Sequence, residues 1–485
     1  MQNFISEIKK IETDKVLSWM SMASIEMMRQ KQYIKLVEFP VLRYGKKQIK
    51  KVPLTAWDIL DIAYLSVKYS NDYRSNDKRV SFEQLVDLYR KYENEHSAAE
   101  YINEDTPIEK VGRIILGMTA EQFQYQNRNW ISEKLNREYY ILTIASDFEN
   151  ENKIDVSAIV KEVFGYSVDD YLSMVLWVIF LCMRYPDPMA YYESLQRHSA
   201  DKVFTYDNLK NFIDYYSCSY DDLRSNPIGK QLLYSKPFIK TQRHGDYLAV
   251  SIFPVLMILG NGLYWLVRDY YHKQNDDKFL HVFGVLFEEY IASLGKCYCI
   301  PGEWEKLDTS HHHKEADFIF DFGKFKMLIE SKSSLLMLGA RQQVPKLEAI
   351  DRFFRNTVEK AYQQLNSTYN RLNKSSTLPI IKVILLYDEF SNTAITELSM
   401  PGVFENDYLC FVMTIRELEM LLYYHRYDKE IEEKIINEVL TAIDSKMKIN
   451  IGAIYQELSL YENLHFKDKR NYFKRKMEYI VDNIR

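Results

Sequence analysis

Asp317, Glu330 and Lys332 are the residues of this sequence whose types and spacing could do chemistry together. They lie in the segment Glu315–Lys332. There Asp321-Phe322-Gly323-Lys324 separates two apolar runs and reads as the turn of a β-hairpin. Folding about Phe322–Gly323 brings Asp317 opposite roughly Leu328–Glu330, so the two carboxylates approach one another. Glu330 and Lys332 are two apart on one strand and share a face, while Ser331 points away. Two acids and a lysine are expensive to bury in strands this apolar without a partner. A divalent ion offsets that cost. Mg²⁺, with Mn²⁺ as a substitute, suits carboxylate and carbonyl oxygens and keeps several waters. Such an ion lowers the pKa of a bound water and neutralises charge on a phosphate. Lys332 would orient that water or stabilise the developing charge. The plain alternative is a surface hairpin with an i,i+2 Glu–Lys pair, because short D…ExK matches arise by chance in many proteins.

The surroundings of these residues resemble the PD-(D/E)XK nuclease superfamily, which includes restriction endonucleases and many bacterial defence nucleases. The family order is a helix bearing Glu, a strand with Asp, a strand with (D/E)xK, a helix and an apolar strand. Segments that fit all five follow in that order here. Phe283–Ile291 looks like the family's G-x-x-F-E helix and puts Glu288 where the helix carboxylate belongs. Glu289 is the alternate, since a shift of one residue turns a helical side chain by about 100°. The resemblance implies catalytic roles for Asp317, Glu330, Lys332 and Glu288. It implies a metal held by Asp317, Glu330, Glu288 and the backbone carbonyl of Ser331. Ser333 and Ser334 extend a familiar K-S-S ending, whereas Ala316 replaces the eponymous proline. Gln364 falls where some members place a polar residue facing the site. The resemblance covers about residues 279–390 and names a superfamily, not a substrate. It implies an Mg²⁺-dependent nuclease that hydrolyses phosphodiester bonds, with DNA the expected substrate and defence against phage or foreign DNA the expected role. The rival readings are a non-cleaving nucleic-acid-binding or scaffold protein of a defence complex, and a nuclease directed at RNA. A homo-oligomer or a defence-system partner protein is compatible with each. Pro237–Val267, leading into the Glu288 helix, resembles helical regions that precede such domains in uncharacterised bacterial proteins.

Arg341, Lys346, Arg352 and Arg355 follow the motif strand closely and, with Gln364, form the expected nucleic-acid contacts. The basic cluster Lys467, Lys469, Arg470, Lys474, Arg475 and Lys476, interleaved with Tyr472 and Phe473, fits a phosphate-tracking surface or a solvated helix face equally well. Lys46, Lys47, Lys50 and Lys51 are expected in a turn. His311, His312 and His313 read as a solvated loop, because adjacent side chains point in different directions and seldom hold one ion. Cys297 and Cys299 read as alternate residues of a strand and lack the spacing of a zinc site. No P-loop or GxGxxG occurs, so no nucleotide motor is expected.

These side chains need elements to hold them. From Phe279 the sequence reads as an amphipathic helix to Leu294, with strands at Lys296–Pro301, Ala316–Asp321 and Phe325–Lys332. A long helix over Leu347–Leu372 and strands at Pro379–Tyr387 and Tyr408–Thr414 follow. That order predicts a mixed sheet flanked by helices. Upstream, residues 1–31, 158–184 and 207–225 read as helical, and Gln32–Tyr44 as extended. Thr55/Asp58, Ser81/Gln84 and Thr119/Gln122 read as capping boxes, the last following a helix ended by Gly117. A hairpin is expected near 236–250, then an apolar helix around 252–270. The expected fold class is therefore α+β or α/β. A mainly α-helical region, 1–275, serves recognition or regulation. A mixed β-sheet core with a helical C-terminal extension is expected at 276–485, and the resemblance implies that this core is restriction-endonuclease-like.

The chain has 485 residues, with 15 glycines and 12 prolines, so few breakers interrupt long helices. Its net charge of -5 leaves any nucleic-acid surface to a local patch. The five cysteines lack framework spacing, suggest a reducing compartment and read as core fillers rather than ligands. No signal peptide is visible, and the apolar run Leu248–Val267 holds Ser251, Pro254, Gly260 and Asn261. A buried helix explains that run better than a membrane span, so a cytoplasmic protein without membrane contact is expected.

Overall fold

Long apolar-striped segments with few breakers fold here as helices. The computed structural model describes residues 3–30, 36–43, 46–72, 80–96, 102–122, 129–144, 154–195, 204–241, 246–307, 315–337, 340–341, 346–387, 393–400, 402–404, 407–449 and 451. Among them the protein is mixed α+β. Helices dominate, with a two-stranded ribbon, a three-stranded sheet and a five-stranded sheet.

The first residues form two helices, Phe4–Ile8 and Thr13–Gln30, rather than one. The backbone of Ile11 and Thr13 turns aside to bond Asn71. Leu36–Arg43 and Lys46–Pro53 pair as an antiparallel ribbon, so the lysine-rich stretch expected in a turn is a strand. The Thr55/Asp58 and Ser81/Gln84 boxes form as expected. The third does not. Helix Ile108–Gln122 runs through Gly117, and Thr119 donates its hydroxyl to the Leu116 carbonyl. Burial of Leu116 and Ala120 overrides the cost of a helical glycine, about 1 kcal/mol relative to alanine. The 158–184 segment divides at Gly165, whose φ of 83° ends the helix Val156–Phe164 before Val168–Arg184 begins. The 207–225 segment divides at the short strand Ser217–Cys218. That strand joins the expected hairpin, Phe238–Lys240 with Tyr247–Ala249, as a third member. Helix α1 (Ile252–Lys273) follows.

Helix α2 (Lys278–Tyr298) leads into the five-stranded sheet. Its strands are β1 (Trp304–Lys306), β2 (Phe318–Asp321), β3 (Lys326–Lys332), β4 (Ile380–Leu386) and β5 (Cys410–Thr414). They lie side by side as β5-β4-β3-β2-β1. β2 pairs antiparallel with both β1 and β3, while β3, β4 and β5 run parallel. The strand expected at Lys296–Pro301 is instead the end of α2. Phe287, Tyr290, Ile291, Leu294 and Tyr298 continue the buried helical stripe, and the Cys299 amide bonds Gly295. The stretch Leu347–Leu372 is helical, with a wider π turn at Arg355–Glu359, and its last part is α3 (Lys360–Leu372). Helices α4 (Ile415–Tyr427) and α5 (Lys429–Ser445) follow β5.

The sheet is apolar on both faces, and alternation along each strand decides which side a residue serves. Met327, Ile329, Ile381, Val383, Leu385, Phe411 and Met413 join a large core shared with α1, α2, α4 and the N-terminal helices. Leu328, Ile380, Ile384, Leu386, Cys410 and Val412 face the other way, into a smaller core with Ile350, Ala361 and Leu365. By parity Glu330 and Lys332 belong to this second face. No single helix among the described residues is long and apolar enough to cross a membrane.

Candidate active site

The antiparallel register of β2 and β3 pairs Phe318 with Ile329, and one step further sets Asp317 against Glu330. The reason is local. Phe322 donates its amide to Phe325, and Gly323, at φ 77°, permits the tight turn. On its other side Glu330 lies beside Ile384 of β4, whose side chain is apolar. Asp317 is pinned on one oxygen: the Ser331 amide and hydroxyl both donate to Oδ2, at 2.7 and 2.6 Å. Lys332 donates to Glu330 Oε1 and, at 3.1 Å, to Gln364 Oε1 of α3. Glu330 Oε2 is buried and meets no hydrogen-bond donor among the described residues.

Burial and crowding of like charge set the electrostatics. Burial pushes the Glu330 carboxyl up to about 8, and Asp317 adds to the rise while Lys332 opposes it. Burial also raises Asp317, against the bonds from Ser331. Glu288 on α2 is raised by burial and then by the charge of Asp317. The three acids therefore feel one another. Their carboxylate oxygens do not all lie within 4.8 Å of one another.

Lys306 of β1 is a residue that sequence reasoning missed. Its ammonium reaches Glu289 at 2.9 Å and Glu288 at 3.4 Å. Burial alone would lower it, but these acids hold it above the usual lysine value. Only a correct placement of β1 could have exposed it, and the strand was expected several residues earlier. With Lys306 and Lys332 against Glu288, Glu289, Asp317 and Glu330, full ionisation leaves two negative charges uncompensated (four minus two). One divalent cation would balance them. Asp317 and Glu330 could hold such an ion, with Glu288 within electrostatic reach.

The remaining expected residues are more dispersed. Ser331 is buried and serves Asp317. Gln364 bonds Lys332, so the polar residue taken from the family pattern does meet the motif. Arg341 is buried and donates Nε to the Leu336 carbonyl at 2.8 Å. Lys346, Arg352 and Arg355 are exposed. Residues 311–313 and the basic cluster at 467–476 lie outside the described residues.

Comparison with protein-family models, with curated proteins and with solved structures finds no match for this chain.

Proposed function

We propose that this protein is a metal-dependent nuclease of the PD-(D/E)XK kind, cutting phosphodiester bonds in DNA in the cytoplasm. The observation that carries the reading is Glu330 Oε2, a buried carboxylate oxygen without a donor, set opposite Asp317 and beside Lys332. Buried carboxylates normally find partners, so an orphan of this kind fits a cation. The order of α2, three antiparallel strands, α3 and a parallel strand also supports a restriction-endonuclease-like core.

Asp317 and Glu330 would hold Mg²⁺ or Mn²⁺, the family resemblance adds the Ser331 carbonyl and Glu288 as ligands, and as the side chains stand Glu288 acts on the pair through its charge. The ion would supply an acidified water and charge neutralisation. The chain's own groups do the positioning. Ser331 fixes Asp317 so that its second oxygen can face the site. Gln364 holds the Lys332 ammonium beside Glu330, where it would orient the attacking water or stabilise charge on the phosphate. Lys306 holds Glu288 on α2. A role in defence against phage or foreign DNA rests on the family resemblance alone.

The test is incubation of purified protein with plasmid, linear DNA and RNA, in Mg²⁺, Mn²⁺ or EDTA, beside Glu330→Ala. Metal-dependent DNA cleavage lost in the variant is the expected result. Cleavage of RNA only would reassign the substrate. Binding without cleavage would favour a scaffold, and full activity in EDTA would refute the metal chemistry.

A further inference from the structure

A second group of ligating side chains gathers where α2 ends, outside the carboxylate site. Cys299 caps α2, Glu303 immediately precedes β1, and His425 lies near the end of α4. One ligand atom from each lies within 4.8 Å of the other two. His425 is buried, packed edge-on to Phe320 and Phe322, and its Nε2 lies 3.0 Å from Glu303 Oε2. Its other nitrogen, Nδ1, lies 2.6 Å from Glu432 Oε1 of α5.

The arrangement is more specific than an ion pair needs. A neutral imidazole donates from one nitrogen only, yet a carboxylate faces each nitrogen here. A cation at Nε2 and Glu303 would give both groups a partner. The sulfur of Cys299 lies within 4.8 Å of a ligating atom of both Glu303 and His425. A thiol adds little to a histidine–carboxylate pair, but it is a preferred ligand of a borderline-soft metal. Glu432 on Nδ1 supplies the carboxylate–histidine contact that usually fixes the tautomer of a ligating histidine. Burial beside Glu303 pushes the free Cys299 thiol up to about 12, so a bound metal would have to displace its proton.

The geometry points to a zinc-class cation held by Cys299 Sγ, Glu303 and His425 Nε2, with Glu432 orienting the imidazole. Sulfur, nitrogen and oxygen donors suit Zn²⁺ and disfavour Mg²⁺, so this site and the carboxylate site select different ions. Its place joins the end of α2 and the entry to edge strand β1 with α4 and α5. It would therefore tie that edge of the sheet. This inference stands independently of the nuclease reading.

The experiment is titration of the chelator-treated full chain with Co²⁺, followed by Zn²⁺ competition. One Co²⁺ should bind with a sulfur-to-cobalt charge-transfer absorption, and Zn²⁺ should abolish it and raise the melting temperature. Cys299→Ser should lose that absorption, Cys297→Ser should keep it, and Glu330→Gln should keep it. Glu432→Gln should weaken Zn²⁺ by about 10- to 100-fold. If Cys299→Ser does not fold, Glu303→Gln on the loop, with an expected loss of affinity, takes its place. Absence of the charge-transfer band in the wild type, or its persistence in Cys299→Ser, would overturn the site.

Discussion

Glu330 combines a buried oxygen lacking a donor with a carboxyl held neutral up to about pH 8. A cation arriving there must expel a proton below that pH. Mg²⁺ affinity should therefore climb as pH rises from 6 toward 8, by up to about tenfold per unit, and level off above. Calorimetric titration across that range checks it, and a slope that survives in Glu330→Gln would place the proton elsewhere. Lys332 is the second decisive residue. As a transition-state group, its replacement in Lys332→Met should slow cleavage by about 100-fold or more, equivalent to roughly 2.7–4 kcal/mol, with little change in affinity. As one phosphate contact among several, its loss would instead weaken binding and flatten the salt dependence by about one. Rate and affinity on one oligonucleotide at two salt concentrations separate these outcomes.

Helix α2 connects the two sites, since it carries Glu288 and ends at Cys299. Its position against β1 depends on Gly295. A Cβ there would sit 2.3 Å from the Trp304 ring, which is packed against Phe318 and Phe320 and cannot swing away freely. Gly295→Ala should cost about 1–3 kcal/mol through overpacking. Gly284, about three turns earlier on the same helix, has only Ser333 Oγ at 3.5 Å. Gly284→Ala should be neutral or gain up to about 1 kcal/mol from helix propensity. Urea midpoints of the pair test the packing, and equal behaviour would contradict it. At this scale much was legible in sequence. The capping boxes at Thr55 and Ser81 form because their signals are complete within four residues. The Thr119 signal fails because it lies inside a helix that tertiary burial prolongs.

Across the whole molecule, the large core runs from Phe4 to Ile451 and includes one face of the five-stranded sheet. Polar links cross it too. Arg137 clamps Glu419 through Nε and Nη2 at 2.6 and 2.9 Å, and Tyr290 donates to the same carboxylate. The neighbouring Glu138 accepts the Tyr264 amide of α1. Burial pushes the Glu138 carboxyl from its ordinary 4.5 up to about 8, despite that bond and the charge of Lys134. The folded protein then keeps a proton that the unfolded chain has released. Stability from this group is complete below about pH 4.5 and is lost as pH rises through about 8. Glu138→Gln keeps an acceptor and removes the titration. Its advantage over wild type should grow from nothing near pH 4.5 to the order of a few kcal/mol above pH 8. Denaturation of both proteins at pH 5 and 8.5 measures this, and a constant difference would refute it.

The hairpin Glu315–Lys332 was determined by sequence alone, because a turn and a two-residue period are local properties. They set Asp317 against Glu330 and put Lys332 on the same face as Glu330. The order of helix and strands around them was legible for the same reason, apart from the strand misplaced at Lys296–Pro301. Tertiary structure alone decided which distant groups meet these residues. Gln364 reaches Lys332 because α3 covers the second face of the sheet, a placement that only a family pattern anticipated. Lys306 enters beside Glu288 because α2 outlasts its expected end and delays β1. His425 meets Glu303 across 122 residues, a distance over which no local periodicity carries information. Such meetings follow from how buried faces pack, and packing depends on the whole chain at once.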